Sequence, residues 1–315
     1  MIAYDSHLHS DFSTDSGEKQ EKIIETAIKK GLKGLCFTDH MDLYFPIECS
    51  KKSGGDFTFD VDRYYELLTE LKSRYSEKLD IRIGLEIGLR DESELRDKCI
   101  SEYNEMTAKY PFDFIIGSTH CLEDIDPYWE EYWDGRTAEE GLDRYFDAID
   151  KNVSDYDCFD SLGHLDYLVR YVSPEACMKS VETRGLDSAL DDKDPAGKNR
   201  QFNPTSLKRL YGQKIYNPVD FKDYIDSILK KIIDRGKALE INTAGLKYGL
   251  GFAHPKKEIL ERYKELGGEL ITVGSDAHIA DHLAYDFETV CEQLKDLGYK
   301  YYFIYKNRKP EGILL

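Results

Sequence analysis

Histidine and carboxylate side chains recur at one kind of place in this sequence, the ends of short β-prone runs. His7 and His9 stand one residue apart just after the run at 2–4. His40 follows LCFT (35–38), and Glu86 lies near the end of IRIGLEIG (81–88). His120 ends FDFIIGSTH (112–120), His164 falls in FDSLGHLD (159–166), and Asp276 and His278 close ELITVGSDAH (269–278). Six of the eight histidines belong to this set. Imidazole and carboxylate donors with no need of a thiolate suit Zn²⁺, Mn²⁺ or Fe²⁺ in catalytic use. Alternate residues of an extended strand share a face, so the H-x-H pair can aim both rings at one ion. Each residue alone has a plainer reading: a strand-end histidine packs or caps, and a glutamate between Leu85 and Ile87 sits in an ion pair. Together they supply ligands for two or three ions, with a carboxylate such as Glu86 able to bridge two. Ions about 3.5–4 Å apart can share a hydroxide and clamp a phosphoryl group.

Residues so far apart meet only if the chain brings the strand ends to one face. Helical patterns alternate with the β-prone runs. In 18–30, Ile23, Ile24, Ala27 and Ile28 share a face and Gly31 stops the helix; in 62–78, Tyr65, Leu68 and Leu71 do so. Further helices are predicted at 91–109, 220–235, 256–266 and 284–297, a sixth strand at 238–242 and an eighth β-prone run at 299–307. This alternation predicts parallel strands. In a parallel barrel the C-terminal strand ends gather on one face, where active sites lie. Two stretches break the rhythm. One is the loop at 41–61. The other, 173–219, holds Pro174, Pro195, Pro204 and Pro218, and within it 177–218 carries eight Lys/Arg against five Asp/Glu. It reads equally as a lid over the site or a solvated excursion.

The 315 residues fit one barrel domain. No stretch approaches the roughly 20 apolar residues of a membrane span. A charged and apolar leader is also missing, which predicts a cytoplasmic protein. Seven scattered cysteines form no CxxC pair and read as reduced thiols; Cys36 and Cys121, beside histidines, read as buried filler. A net charge of −18 disfavours extended nucleic-acid binding but not a small anion held by metal ions.

The motifs HLH (7–9), TDH (38–40), LEIG (85–88), GSTH (117–120), GHLD (163–166) and SDAH (275–278), in this order, resemble those of the polymerase-and-histidinol-phosphatase (PHP) family. GHLDYLVR (163–170) and EINTAGLK (240–247) resemble the members that act on histidinol phosphate in histidine biosynthesis. The resemblance implies an α/β fold, a distorted (β/α)7 TIM-like barrel spanning 1–315, with two to three divalent metal ions at the C-terminal strand ends. By motif, one ion takes His7, His9, Glu86 and Asp276. A second shares Glu86 and adds His120 and His164. A third takes Asp15, His40 and His278. Without the resemblance, Asp15 reads equally as the cap of the following helix.

The implied activity is phosphomonoester hydrolysis, of L-histidinol phosphate to L-histidinol and phosphate, by attack of a metal-bridging hydroxide. Arg170 occupies a phosphate-contacting position. Lys247 stands where relatives carry arginine, so it binds phosphate without a fork or is replaced by Arg184 or Arg200. Asp39 orients an imidazole, and Asn242 supports its loop or caps its strand. His254 reads as a loop histidine or a substrate contact, and His282 as non-catalytic. No residue identifies itself as the acid for the leaving group. Two other readings share these residues: a PHP-type phosphodiesterase or nuclease acting on oligonucleotide ends, and a non-catalytic metal-binding scaffold.

Overall fold

Apolar β-prone runs pair in parallel and amphipathic helices cover them. The computed structural model describes residues 1–185 and 211–315. Strands β1 (Tyr4–Asp5), β2 (Gly34–Phe37), β3 (His40–Met41), β4 (Asp80–Gly88), β5 (Phe114–Ser118), β6 (Ser161–Leu162), β7 (Ala238–Asn242) and β8 (Ile271–Gly274) form one sheet. Its order is β1-β2-β4-β5-β6-β7-β8, every pairing parallel. β2 pairs with Asp80–Ile83 of β4 and β3 with Glu86–Ile87, so β2 and β3 are one interrupted stave and the barrel has seven. The ring closes where Ser6 N–H donates to Val273 O (3.0 Å), Asp276 N–H to His7 O (2.8 Å) and His9 N–H to Ala277 O (2.9 Å). Strands buried on both faces read as continuous apolar runs, and β4 is buried at eight of nine positions.

This is the distorted (β/α)7 barrel that the resemblance implies, with shorter staves. The polar ends of 112–120, 159–166 and 269–278 lie past the ladder, where the N–H groups of His164 and Ser275 turn to the carboxylates of Glu240 (2.8 Å) and Asp5 (2.9 Å). Helices Gln20–Lys30, Val61–Arg74, Ser93–Lys109, Lys222–Asp234, Lys257–Glu265 and Phe287–Asp296 stand where the periodicity puts them. On Val61–Arg74 it is Tyr64, not Tyr65, that joins Leu68 and Leu71 in the core.

Three further helices correct the sequence reading. Ile47–Ser53 lies inside the 41–61 loop. Ala138–Asp155 lies between β5 and β6, started by a capping box in which Thr137 Oγ1 accepts from Glu140 N–H (3.2 Å) and Glu140 Oε2 from Thr137 N–H (2.8 Å). Pro174–Arg184 opens the segment read as irregular. There Ser173 caps the helix, Pro174 occupies its first turn and Gly185 ends it with φ 63°, so this proline is a helix start and not a breaker. Of the rest of the segment, 186–210, with Pro195, Arg200 and Pro204, lies outside the described residues, and Tyr211–Ile215 and Pro218–Phe221 form short helical turns.

The eighth β-prone run is not a stave. β9 (Tyr301–Lys306) turns through Asn307 and Arg308, both at positive φ, into the antiparallel β10 (Lys309–Leu314). The hairpin plugs the N-terminal end of the barrel. Tyr305 packs with Cys36, Phe114, Ile116 and Ala238, and Arg82 Nη1 donates to Tyr305 O (2.7 Å). No helix among the described residues is long and apolar enough to cross a membrane.

Candidate metal centre

Glu86 is the hub of the opposite, C-terminal end. It is 1% exposed, and five imidazoles surround its carboxylate. Oε2 lies 3.1 Å from His7 Nε2, 3.5 Å from His9 Nε2 and 3.1 Å from His40 Nδ1. Oε1 lies 3.3 Å from His120 Nε2 and 2.8 Å from His164 Nε2. Ser118 Oγ donates to Oε1 (2.6 Å). Asp276 Oδ1 stands 3.2 Å from His9 Nε2 and 3.9 Å from His7 Nε2. His278 Nε2 is 3.0 Å from Asp15 Oδ2, which is 3.7 Å from His40 Nε2. All nine residues inferred from sequence thus converge.

This donor set fits divalent ions. His7 Nε2 and His9 Nε2 stand 3.1 Å apart, close to the spacing of two nitrogens that share one tetrahedral ion. His40 Nδ1 is buried with no hydrogen-bond partner, although Glu86 Oε2 is 3.1 Å away. Ligand atoms of His7, His9 and Asp276, of His40, Glu86 and His120, and of His9, His40 and His278 each lie within 4.8 Å of one another. The first grouping falls within the expected division, whereas the other two cut across it at His40 and His9.

The supporting groups were largely missed in sequence. Glu240 Oε1 lies 2.6 Å from His7 Nδ1, and Glu240 Oε2 accepts from His164 N–H (2.8 Å). Asp42 Oδ1 lies 2.8 Å from His120 Nδ1. Asp39 reaches an imidazole only through Ser13. Its Oδ1 accepts from Ser10 N–H (2.6 Å) and Ser13 Oγ–H (2.8 Å), and Ser13 Oγ meets His9 Nδ1 (3.1 Å), so Asp39 acts through the loop. Asn242 Oδ1 accepts from Ala244 N–H (2.9 Å) at the strand end, and its Nδ2 reaches Asp276 Oδ2 (3.3 Å). His254 is a buried structural residue on Asp166 Oδ1 (2.7 Å), and neither it nor His282 lines the cavity.

Charge divides the centre. Burial opposes a proton on His7, yet Glu240, Glu86 and Asp276 outweigh it and raise its pKa well above the ordinary value. His120 is raised likewise against burial by Asp42 and Glu86. His278 is lifted to about 9, burial being overcome by Asp15 and Asp276. His9 goes the other way, to about 3, through burial and the neighbouring His278 and His40. It is therefore neutral, the form that ligates metal. Burial would raise Glu86 and Asp276, but the imidazoles, led by His7, hold both well below the carboxylate range.

A cavity of about 470 Å³ opens over the centre. Arg170 lines it, its guanidinium 4.6 Å from the Tyr171 ring and 4.4 Å from that of Tyr248. Two of the other inferred phosphate ligands, Lys247 and Arg184, lie elsewhere. Lys247 donates to Asp276 O (2.8 Å) and Ser275 O (3.3 Å) and does not line the cavity; the turn at Asp276, with φ 52°, presents carbonyls that take up its charge. Arg184 pairs with Glu139 and Asp220, each at 3.0 Å. Lys52, from the 41–61 stretch, does reach the cavity, as do Phe45, Phe57 and Asp126.

A family model of the PHP domain matches residues 5–244. A probable histidinol-phosphatase of Clostridium acetobutylicum is 30% identical over 312 residues, covering 97% of this chain and 98% of that protein. The histidinol-phosphatase of Lactococcus lactis subsp. lactis is 33% identical over 286 residues, covering 89% and 86%. A crystal structure of histidinol phosphate phosphatase from Lactococcus lactis subsp. lactis, complexed with zinc, L-histidinol and phosphate, matches with a TM-score of 0.75 at 28% identity. That match covers 98% of this chain and 99% of the other.

Proposed function

The chain belongs to the PHP domain family, and on that premise we propose that it hydrolyses L-histidinol phosphate to L-histidinol and inorganic phosphate with divalent metal ions. The observation that carries this reading is the hub: five imidazole nitrogens within 3.5 Å of the Glu86 carboxylate, on the floor of a cavity sized for a small molecule. Zn²⁺, Mn²⁺ or Fe²⁺ suits the donors. His7, His9, Glu86 and Asp276 would hold one ion, Glu86, His120 and His164 a second, and Asp15, His40 and His278 a third. Bound there, divalent ions supply Lewis acidity toward phosphoryl oxygens and a hydroxide nucleophile near neutral pH.

The chain's own residues do the rest. Glu86 turns one oxygen toward His7, His9 and His40 and the other toward His120 and His164, as a bridging carboxylate requires. Arg170 can offer its fork of N–H donors to phosphate oxygens and neutralise charge as the phosphoryl group transfers. The two tyrosine rings beside it limit its rotation, which favours one approach geometry. Lys247 steadies the Asp276 turn. Against an oligonucleotide substrate, Lys52 and Arg170 are the only lysine and arginine among the described lining residues. We place the reaction in the cytoplasm, where seven buried free thiols stay reduced.

The test is turnover of L-histidinol phosphate beside generic phosphoesters and a short oligonucleotide, after reconstitution with Mn²⁺, Zn²⁺ or Fe²⁺. A clear preference for histidinol phosphate is expected, and its absence would sink the substrate assignment. His9→Asn should abolish turnover with the fold retained; near-normal activity there would refute the ligand assignment.

A further inference from the structure

The metal ligands and Arg170 account for one end of the cavity and leave the other end unexplained. An aromatic wall runs outward from the centre. Ring centroids step from His164 to Tyr167 (4.4 Å), Tyr167 to Tyr171 (5.7 Å), Tyr171 to Tyr128 (5.2 Å) and Tyr128 to Trp129 (5.1 Å). Asp126, beside the outer end of this wall, lines the same cavity. Its loop is pinned. Leu122 and Ile125 exchange backbone hydrogen bonds of 2.9 and 3.0 Å around Glu123 and Asp124, both at positive φ. Asp126 N–H donates to Cys49 Sγ (3.4 Å), and Asp126 O accepts from Trp129 N–H (3.0 Å).

The carboxylate accepts one hydrogen bond, from Tyr128 N–H to Oδ1 (2.8 Å). Among the described residues no lysine, arginine or histidine forms an ion pair with it. The two basic side chains of the wall are engaged, Lys52 with Glu131 and Arg170 with the Tyr171 hydroxyl. Next to it, Trp129 Nε1 is buried without a hydrogen-bond partner. Burial pushes the Asp126 carboxyl up to about 6, against the pull of the Tyr128 amide and His120. A carboxylate set into an apolar wall without a cation is costly unless a ligand brings one. The rings of the wall attract cations through their quadrupoles, and two already do so, Trp129 with Lys52 Nζ at 4.9 Å and Tyr171 with the Arg170 guanidinium at 4.6 Å, so the ligand's cation falls to the Asp126 carboxylate.

We propose that Asp126 determines specificity by pairing with the cationic nitrogen end of the substrate, while the metal centre and Arg170 take its phosphate. The site thereby prefers small phosphomonoesters that carry an ammonium or imidazolium group at the far end. The choice of L-histidinol phosphate as probe rests on the function proposed above.

Asp126→Asn keeps the shape and removes the charge. With metal content equal to wild type, KM for L-histidinol phosphate should rise about 10- to 100-fold with a much smaller change in kcat. Activity on para-nitrophenyl phosphate, which has no cationic nitrogen, should stay within about twofold in kcat/KM. Calorimetric binding of L-histidinol alone to the protein as purified should weaken by a similar factor, and Asp126→Glu should restore part of both effects. Equal losses on both phosphoesters, or unchanged L-histidinol binding, overturn the proposal. If wild type shows no preference for histidinol phosphate, the substrate reading fails, and calorimetry still decides on Asp126: no L-histidinol binding to wild type, or equal binding to both proteins, overturns it.

Discussion

A ligating imidazole is aimed by what its second nitrogen meets, and the partners here are Glu240 for His7, Asp42 for His120 and Ser13 for His9. Losing such a partner typically costs about 10- to 100-fold in metal affinity or activity. Glu240→Gln keeps an oxygen facing His7 and removes the charge. It should lower metal occupancy on dilution and kcat/KM by about that factor, with the circular dichroism unchanged. Full metal content together with full activity would show Glu240 to be a packing residue. The ligands were legible because they share one visible property, a position at or just past a strand end. Glu240 stands two residues before the end of β7, the place Glu86 holds in β4, so the same rule reaches it, yet it went unread inside ALEIN. A charge inside an otherwise apolar strand is a second signal that could have found it. Lys247 shows the limit of motif position: past a strand end, the turn decides where a side chain points, and the Asp276 turn drew its ammonium to carbonyls.

Elements were legible where periodicity is strong and less so where a cap carries the information. The capping box before Ala138–Asp155 and the Ser-Pro start at 173–174 are sequence signals, yet the first was passed over and the second read as a break. Close approaches between elements were not legible at all. A Cβ on Gly274 would come within 2.2 Å of His7 Cβ, so β8 can lie against the H-x-H segment only because that position is glycine. Between helices, Asp226 on Lys222–Asp234 accepts from Arg262 on Lys257–Glu265 at Oδ1 (2.7 Å) and Oδ2 (2.8 Å), with Lys222 at 3.1 Å. Arg262 first, then Lys222 against slight burial, hold its carboxyl below the ordinary value. A carboxyl depressed in the folded state adds stability above its unfolded pKa of about 3.9 and loses it as pH falls through the folded value. Asp226→Asn should therefore lower the urea midpoint at pH 7, and the gap to wild type should shrink as pH drops from about 5 toward 3. A gap of constant size would mean that the pair contributes through packing and not through charge.

Across the whole molecule, the core and the metal centre occupy opposite demands of one barrel. The apolar cluster that holds the staves and helices together runs through every layer without using a metal ligand, and the hairpin seals its lower end. Catalytic metal sites differ from structural ones in this respect: the fold does not depend on the ion. The centre also carries its own compensation, since His7, His120 and His278 hold protons readily beside the depressed carboxylates of Glu86, Asp276 and Asp15. Stripping the metals should therefore stop turnover and leave the barrel closed. The seven free, buried cysteines are distributed reporters of that closure. Burial pushes the thiols of Cys36 and Cys121 well up, that of Cys99 to about 12 and those of Cys158 and Cys177 to about 11. Thiolate is the reactive form, so they resist a disulfide reagent at neutral pH while the fold stands. After exhaustive chelation the protein should lose activity and still show slow labelling, and all seven thiols should titrate at once only in denaturant. Rapid labelling of the core thiols on chelation alone would mean that the ions hold the barrel together, and the site would have to be reread as structural.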